Sequence, residues 1–179
     1  MTTFSSDRLH LDRFDTPIGR ALLVTDDGGA LRLLDWEDHE DRMRVLLRRQ
    51  YGSVALEGGP APAGVRQPLE RYFAGDLSAL SEIPWRAQGT AFQELVWRAL
   101  TGIAAGETMS YGALAKRIGK ANAVRAVGLA NGANPVSVVV PCHRVIGSDG
   151  SLTGYGGGLE RKRWLLRHEG ALVTTELEL

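Results

Sequence analysis

The sequence predicts two domains: a small α/β unit over residues 1–85, with an antiparallel sheet and helices, and a mostly α-helical unit over 86–172, with a tail at 173–179. Three observations lead there. Residues 11–34 alternate short apolar runs with a glycine-rich turn, the pattern of a hairpin. The stretch Ser81–Gly89, interrupted by Pro84, reads as a linker. Beyond it, two short helical segments flank a four-residue turn, Gly119-Lys120-Ala121-Asn122, the dimensions of a helix-turn-helix.

The elements follow in order. Asp26-Asp27-Gly28-Gly29 separates Ala21–Val24 from Leu31–Leu34 and predicts the hairpin turn. Glu40–Tyr51 is helical, with Met43, Leu46 and Leu47 on one stripe. Residues 58–64, rich in Gly, Pro and Ala, form a loop before a short helix, Gln67–Phe73, that stops near Gly75. Thr90 caps a helix carrying Phe92, Leu95, Val96, Trp97 and Leu100, ended by Gly102 and Gly106. Ser110 caps Tyr111–Ile118, and Ala123–Asn131 follows the turn. Asn134-Pro135 breaks the pattern. Val136-Ser137-Val138-Val139-Val140 then reads as a core strand by its β-branched content. Residues 147–158 hold six glycines and form a loop, and Leu159–His168 is the last helix, with Gly170 suited to its C-terminal cap. The four tryptophans, Trp36, Trp85, Trp97 and Trp164, are read as packing residues.

Composition narrows the function. Apolar residues make up 44% and charged residues 23%, the balance of a water-soluble globular chain. No run reaches the roughly 18 apolar residues of a membrane span. Met1–Ser6 lacks the basic-then-apolar order of a signal peptide. A single cysteine, Cys142, forms no internal disulfide and fits a reducing, cytoplasmic setting. The formal net charge is zero, yet residues 1–85 carry 10 basic against 14 acidic side chains and residues 86–170 carry 11 against 5. The second domain therefore offers a polyanion a local positive field.

Cys142 ends the β-branched run in Pro141-Cys142-His143-Arg144-Val145. Proline has no N–H and closes a sheet ladder, so the thiol is expected at a strand end. A thiol of ordinary pKa, about 8.5, becomes a nucleophile when an imidazole backed by a carboxylate acts on it. His143 is adjacent, and Glu169, after His168, is the candidate carboxylate of this half. On an extended chain neighbouring side chains point to opposite faces, so pairing Cys142 with His143 requires a turn. The competing reading of Cys142 is an inert buried core thiol, and of His143 a structural histidine.

The motif Pro141-Cys142-His143-Arg144-Val145, with Ser110-Tyr111, Ala123 through Asn134-Pro135, Gly154-Tyr155 and Trp164–Gly170, resembles the O6-alkylguanine-DNA alkyltransferases (methylated-DNA–protein-cysteine methyltransferases) of the free-standing bacterial kind. The likeness is strong over residues 88–170 and one of general layout over 10–85. It implies a ribonuclease H-like first domain and a helix-turn-helix of the alkyltransferase type in the second. It also implies irreversible, single-turnover transfer of the alkyl group from guanine O6 in DNA to Cys142, with O4-alkylthymine an open second substrate. By resemblance His143 acts on Cys142 through a water, Glu169 orients the imidazole, and Tyr111 donates toward the purine N3. Backbone N–H groups at Tyr155 and Gly156 face O6, Tyr155 stacks beside the base, and the carbonyls of Cys142 and Val145 read the exocyclic amine. Asn134 braces the turn ahead of the nucleophile. Gly156 stands where many relatives have serine.

The target atom is inside the duplex, so the resemblance also implies base flipping. Arg125 is the residue that fills the vacated stack, on a helix whose Ala123, Val124, Ala126 and Gly128 permit close approach to the minor groove. Lys116, Arg117 and Lys120 are candidate phosphate contacts. The expected partner is double-stranded DNA bound by a monomer, with no membrane, protein partner or cofactor. No metal is expected either, since residues 1–85 contain no cysteine and only His10 and His39. Two other readings stay open: a cysteine hydrolase built on Cys142, His143 and Glu169, and a non-catalytic helix-turn-helix protein that binds DNA lesions.

Overall fold

A computed structural model describes residues 8–172; the expectations for the leader and for the tail at 173–179 fall outside the described residues. The chain divides into two compact units, 1–88 and 89–179.

The first unit is built on a four-stranded sheet of order β3-β2-β1-β4: β1 is Leu9–Thr16, β2 Gly19–Asp26, β3 Leu31–Trp36 and β4 Leu56–Gly58. β1 pairs antiparallel with β2, and β2 with β3. β4 runs parallel to β1, with Leu9 opposite Leu56, so the sheet is mixed and not the purely antiparallel one expected. Residues 21–26 and 31–36 are buried throughout, which is why their sequences run apolar without strict alternation. The turn between them closes on Asp26, whose Oδ1 accepts from Ala30 N–H at 2.9 Å, while Gly29 takes φ 86°. Helix α1, Glu40–Tyr51, lays Met43 and Leu47 on Leu9, Leu22, Val24 and Leu33. Each such large apolar side chain contributes roughly 1.5–3 kcal/mol on burial.

Helix α2 spans Ala63–Phe73, four residues earlier than the expected Gln67 start. Pro62, extended at φ −60° and ψ 157°, starts it by accepting from Val65 and Arg66 N–H. The run of prolines and glycines that suggested a loop is thus partly the helix entry. A 3-10 turn, Leu77–Glu82, covers part of the expected linker. The rest is held as well: Trp85 bridges to Leu31, flanked by Leu31 N–H to Pro84 O at 2.8 Å and Arg86 N–H to Leu31 O at 2.9 Å.

The second unit is mostly helical: α3 Ala91–Leu100, α4 Tyr111–Arg117, α5 Val124–Gly132 and α6 Leu159–His168. Thr90 caps α3 in a full capping box with Gln93, and Ser110 caps α4 by accepting from Ala113 N–H at 3.0 Å. Buried Trp97 on α3 donates its indole N–H to Ala130 O on α5 at 2.9 Å. A two-residue strand β5, Met109–Ser110, pairs parallel with β6, Val145–Ile146. Gly106, at φ 88°, brings its backbone so close to Glu169 that a Cβ there would sit 3.1 Å from the Glu169 carbonyl. Among the described residues no helix is long and apolar enough to cross a membrane.

One expectation fails clearly. Val136–Val140 is not a strand; the segment is a knot of tight turns, buried throughout. Val138 takes φ 71°, a conformation that β-branched residues rarely adopt. Val139 N–H bonds back two residues to Ser137 O at 2.8 Å, and Val140 N–H reaches Val136 O at 2.9 Å. A β-branched run signals burial as readily as it signals a ladder, and here burial alone was the cause.

Candidate active site

Asn134 organises the turns that deliver the thiol. Its Nδ2 donates to Val140 O at 2.8 Å and its Oδ1 accepts from Val136 N–H at 3.0 Å, so one side chain spans the whole loop. Pro141, at φ −83° and ψ 65°, then forms an inverse γ-turn closed by Cys142 N–H to Val140 O at 2.8 Å. Cys142–Arg144 follows as a 3-10 turn. The chain therefore turns at the nucleophile, and the alternation that would separate Cys142 from His143 on a strand does not apply. Cys142 is 6% exposed and His143 fully buried.

Behind the thiol lies a charged cluster sealed from water. His143 Nε2 is 2.9 Å from Glu169 Oε1. Arg144 donates to both oxygens of the same carboxylate, Nε to Oε1 at 2.9 Å and Nη2 to Oε2 at 2.7 Å, and Nη1 reaches Ile103 O at 2.5 Å. Burial alone would raise the Glu169 pKa. The hydrogen bonds and charges of Arg144 and His143 overcome it and hold the carboxyl far below its usual range. Burial lowers the His143 pKa, more than the contact with Glu169 raises it, so the ring is neutral at pH 7.

The tautomer follows. An ionised carboxylate only accepts, so Nε2 carries the proton and Nδ1 carries the lone pair. His143 Nδ1 is buried and has no hydrogen-bond partner in the protein. A buried neutral imidazole with a free lone pair, next in sequence to the one thiol, is equipped to take a proton.

Tyr111 starts α4, and the β5–β6 pairing sets Ser110 opposite Ile146. Its hydroxyl donates to Thr153 O at 3.2 Å, which ties it to the glycine-rich segment. Its ring lies against Gly128 on α5, where a Cβ would sit 3.8 Å from ring carbon Cδ1. Gly128 therefore packs on Tyr111, the tight packing that small residues on this helix allow as readily as groove contact. Tyr155 and Gly156 are half-buried, and Tyr155 O accepts from Gly158 N–H at 2.9 Å. The Cys142 carbonyl accepts from Val145 N–H, and the Val145 carbonyl accepts from Lys162 Nζ at 2.7 Å. A carbonyl oxygen can accept two hydrogen bonds.

The α5 residues form a separate, outward group. Ala123 is the N-cap, and Val124, Arg125 and Ala126 are exposed, as are Lys116, Arg117 and Lys120 before them. The structure thus draws Cys142, His143, Asn134 and Glu169 into one buried assembly, sets Tyr111 beside both α5 and the glycine-rich segment, and leaves Arg125 on the surface. Sequence reasoning assigned no role to Lys162, which is fully buried on α6. A lysine among Arg161, Arg163 and Glu160 looks like solvated surface, and nothing in the local pattern marks it out.

Comparison with known proteins agrees in one direction. Residues 91–171 match a family model described as 6-O-methylguanine DNA methyltransferase, DNA binding domain. The methylated-DNA–protein-cysteine methyltransferase of Salmonella typhimurium is 48% identical over 168 residues, 93% of this chain and 98% of that protein. Its counterpart in Mycobacterium tuberculosis is 42% identical over 174 residues, 96% and 98% of the two chains. The solved structure of Mycobacterium tuberculosis OGT in complex with DNA superposes with a TM-score of 0.75 at 41% identity, over 90% of this chain and 93% of that one.

Proposed function

The chain belongs to the methylated-DNA–protein-cysteine methyltransferases, enzymes of direct-reversal DNA repair, and on that footing we propose that Cys142 is the sulfur that takes the alkyl group from guanine O6. The observation that carries the assignment is the unpartnered, buried Nδ1 of His143, beside the one cysteine of the chain. Glu169 holds Nε2, so the basic nitrogen is the other one. The proton leaves the thiol for Nδ1 through a bridging water. The thiolate attacks the alkyl carbon, a carbon–sulfur bond forms, and the carbon–oxygen bond to the base breaks. The guanine departs as an anion that Tyr111 stabilises by donating a hydrogen bond toward N3, and the proton held on His143 Nδ1 returns through water to the base. That donation requires the tyrosine hydroxyl to exchange its present bond to Thr153 O. The thioether is not hydrolysed, so each molecule acts once.

Glu169 and Arg144 together fix the imidazole, and Asn134 fixes the turn in which Cys142 sits. The Cys142 and Val145 carbonyls accept from the exocyclic amine. The N–H groups of Tyr155 and Gly156 face O6, and the Tyr155 ring stacks on the base. The segment α4–turn–α5 is a helix-turn-helix that lies in the minor groove of duplex DNA. Arg125 enters the stack as the damaged nucleotide swings out, while Ala123, Val124 and Ala126 meet the groove and Lys116, Arg117 and Lys120 meet phosphate. The first unit has a ribonuclease H-like layout, and the protein works as a cytoplasmic monomer.

The test is stoichiometric. Incubation with a duplex carrying O6-methylguanine adds one methyl group to Cys142, and product forms in a single burst equal to the protein present, read by intact mass and peptide mapping. Cys142→Ser removes transfer by roughly 10⁴-fold or more while lesion binding persists. Product formation that continues past one equivalent, or transfer that survives in Cys142→Ser, would overturn the assignment.

A further inference from the structure

Leu129 is the outward residue of α5 that the proposed reaction leaves unused. The helix turns Val127, Ala130 and Asn131 inward and leaves Val124, Arg125, Ala126, Leu129 and Gly132 exposed. Leu129 is 71% exposed, against 45% for Val45, the next large apolar side chain among the described residues. Leucine is among the residues most often buried, yet a single exposed one means little by itself. This one stands four residues after Arg125, and side chains four apart on a helix share a face. The outer face of α5 is thus one arginine set among apolar and small residues.

The surrounding charge selects what this face meets. Residues 108–148 contain no aspartate or glutamate. Lys116, Arg117, Lys120 and Arg125 are all exposed within that stretch. A second copy of the chain would bring the same cations against them, whereas a polyanion neutralises them. The minor groove of duplex DNA matches both features, with phosphates along its rims and base edges on its floor. In B-form it is about 6 Å wide, while a helix with its side chains is about 10 Å across. A helix reaches that floor only if the groove opens, and an apolar side chain pushed between bases is a common way to open it.

We propose that Leu129 is an apolar wedge: it enters the minor groove one helical turn beyond Arg125 and loosens a base step near the lesion. The proposal rests on reading α5 as the helix that lies in the groove. A rise of about 1.5 Å per residue sets Leu129 about 6 Å along the helix from Arg125, which is about two base pairs at roughly 3.4 Å each. Arg125 fills the stack that the extruded nucleotide leaves. Leu129 holds the groove open beside it and so lowers the cost of extrusion. Pyrimidine–purine steps unstack most easily, so the wedge also makes repair depend on sequence about two base pairs from the lesion.

The test uses the full chain with Leu129→Ala and Leu129→Met. Leu129 is mostly in solvent and alanine is the better helix former, so both variants should fold as the wild type does. In the Cys142→Ser background, Leu129→Ala should bind an O6-methylguanine duplex on the order of tenfold more weakly, the worth of a buried leucine side chain. The factor should be the same between about 50 and 200 mM salt, because an apolar contact releases no counterion. Leu129→Met should stay within about twofold, since it keeps the apolar reach. A 2-aminopurine about two base pairs from the lesion, on one side of it, should brighten when Cys142→Ser binds and stay dim with Leu129→Ala added. With the nucleophile intact, Leu129→Ala should lose more on the duplex than on free O6-benzylguanine. Wild-type binding and brightening in Leu129→Ala would overturn the proposal, as would equal losses on the two substrates. Self-association that Leu129→Ala abolishes while duplex repair persists would assign the face to a second copy instead. Arg125→Ala distinguishes the two levels: if it weakens duplex repair and Leu129→Ala does not, the wedge alone fails, and if neither does, α5 is not the helix in the groove.

Discussion

Each unit buries a carboxylate against an arginine, and the two cases end differently. In the first unit Asp35 is fully buried and takes both Nε and Nη2 of Arg42, at 2.9 and 2.5 Å, together with Trp36 N–H at 2.9 Å. Nearby in sequence, Asp26 accepts from Arg32 Nε at 2.6 Å, and Arg32 reaches the Tyr51 hydroxyl at 3.3 Å. These groups close on their own hairpin and helix. In the second unit Glu169 takes Nε and Nη2 of Arg144 in the same two-pronged way but also holds His143, and the far nitrogen of that ring is left over. Buried charge by itself therefore marks nothing. What sets the Glu169 cluster apart is a buried lone pair on a ring able to take a proton, which neither Asp35 with its arginine nor an indole N–H offers.

The comparison breaks most visibly by removing each carboxylate. Glu169→Ala strands Arg144 and the imidazole without solvent, at a cost of roughly 3–5 kcal/mol, and frees the tautomer. Repair per folded molecule should be lost almost entirely. Asp35→Ala should cost less, roughly 1–3 kcal/mol, because Arg42 is 28% exposed and can turn to water. Its repair per folded molecule should stay at the wild-type level. Denaturant melts paired with burst titrations measure both. Equal activity losses in the two variants would erase the distinction drawn between the clusters.

The same contrast explains what was legible in the sequence. Pro141–Val145 drew attention to the thiol because its residue types are rare together, and Glu169, whose role the resemblance implied, stands 2.9 Å from His143 Nε2. Capping residues such as Thr90 and Ser110 wrote helix starts in local chemistry, and α3 and α4 begin at the residues so marked, whereas α6 starts at Leu159 as expected without a side-chain cap. The valines at 136–140 misled because their signal is burial, and the turn geometry comes from Asn134, whose bonds bridge six residues. Lys162 was silent for the same reason: its partners are backbone carbonyls, 17, 9 and 8 positions away, that no side-chain pattern reports.

Arg125 sharpens the comparison at the surface. It is exposed and makes no bond that the buried cluster depends on, so Arg125→Ala should leave stability within about 0.5 kcal/mol. Repair of duplex DNA should fall on the order of 10- to 100-fold, since unstacking a base costs a few kcal/mol that the inserted side chain offsets. Transfer from free O6-benzylguanine should be unchanged. Equal losses on both substrates would place Arg125 in the chemistry and not in the extrusion.

Acid separates the clusters by a smaller amount. His143 in the folded chain resists protonation below the pH near 6.5 at which the unfolded chain accepts it. The unfolded state then binds more protons, so stability falls as pH falls, by at most about 1.4 kcal/mol per pH unit. Glu169, held far below its unfolded value, adds to the loss only below about pH 4.5, and Asp26 only below about 3.8. Between pH 6.5 and 4.5 the histidine of the second unit is therefore the one of these groups at work. Hydrogen exchange should show the amides around Val145 losing protection over that range before those of β2 and β3. Uniform loss across both units would contradict the ordering.

The smallest effect belongs to Gly156. Its φ is not among the positive values that Gly154 and Gly158 adopt on either side, at 48° and 96°. A side chain at 156 therefore meets no backbone penalty, whereas one at 158 does. The atom proposed to face O6 is the main-chain N–H, which serine retains. Gly156→Ser should change the rate on O6-methylguanine by no more than about twofold, close to the noise of a 0.4 kcal/mol difference. Gly158→Ser, at the N-cap of α6, should destabilise by about 1 kcal/mol or more through its left-handed backbone. The order of those two outcomes separates the glycines kept for backbone shape from the one that only leaves room, and a reversed order would show that the cavity, not the backbone, sets the choice at 156.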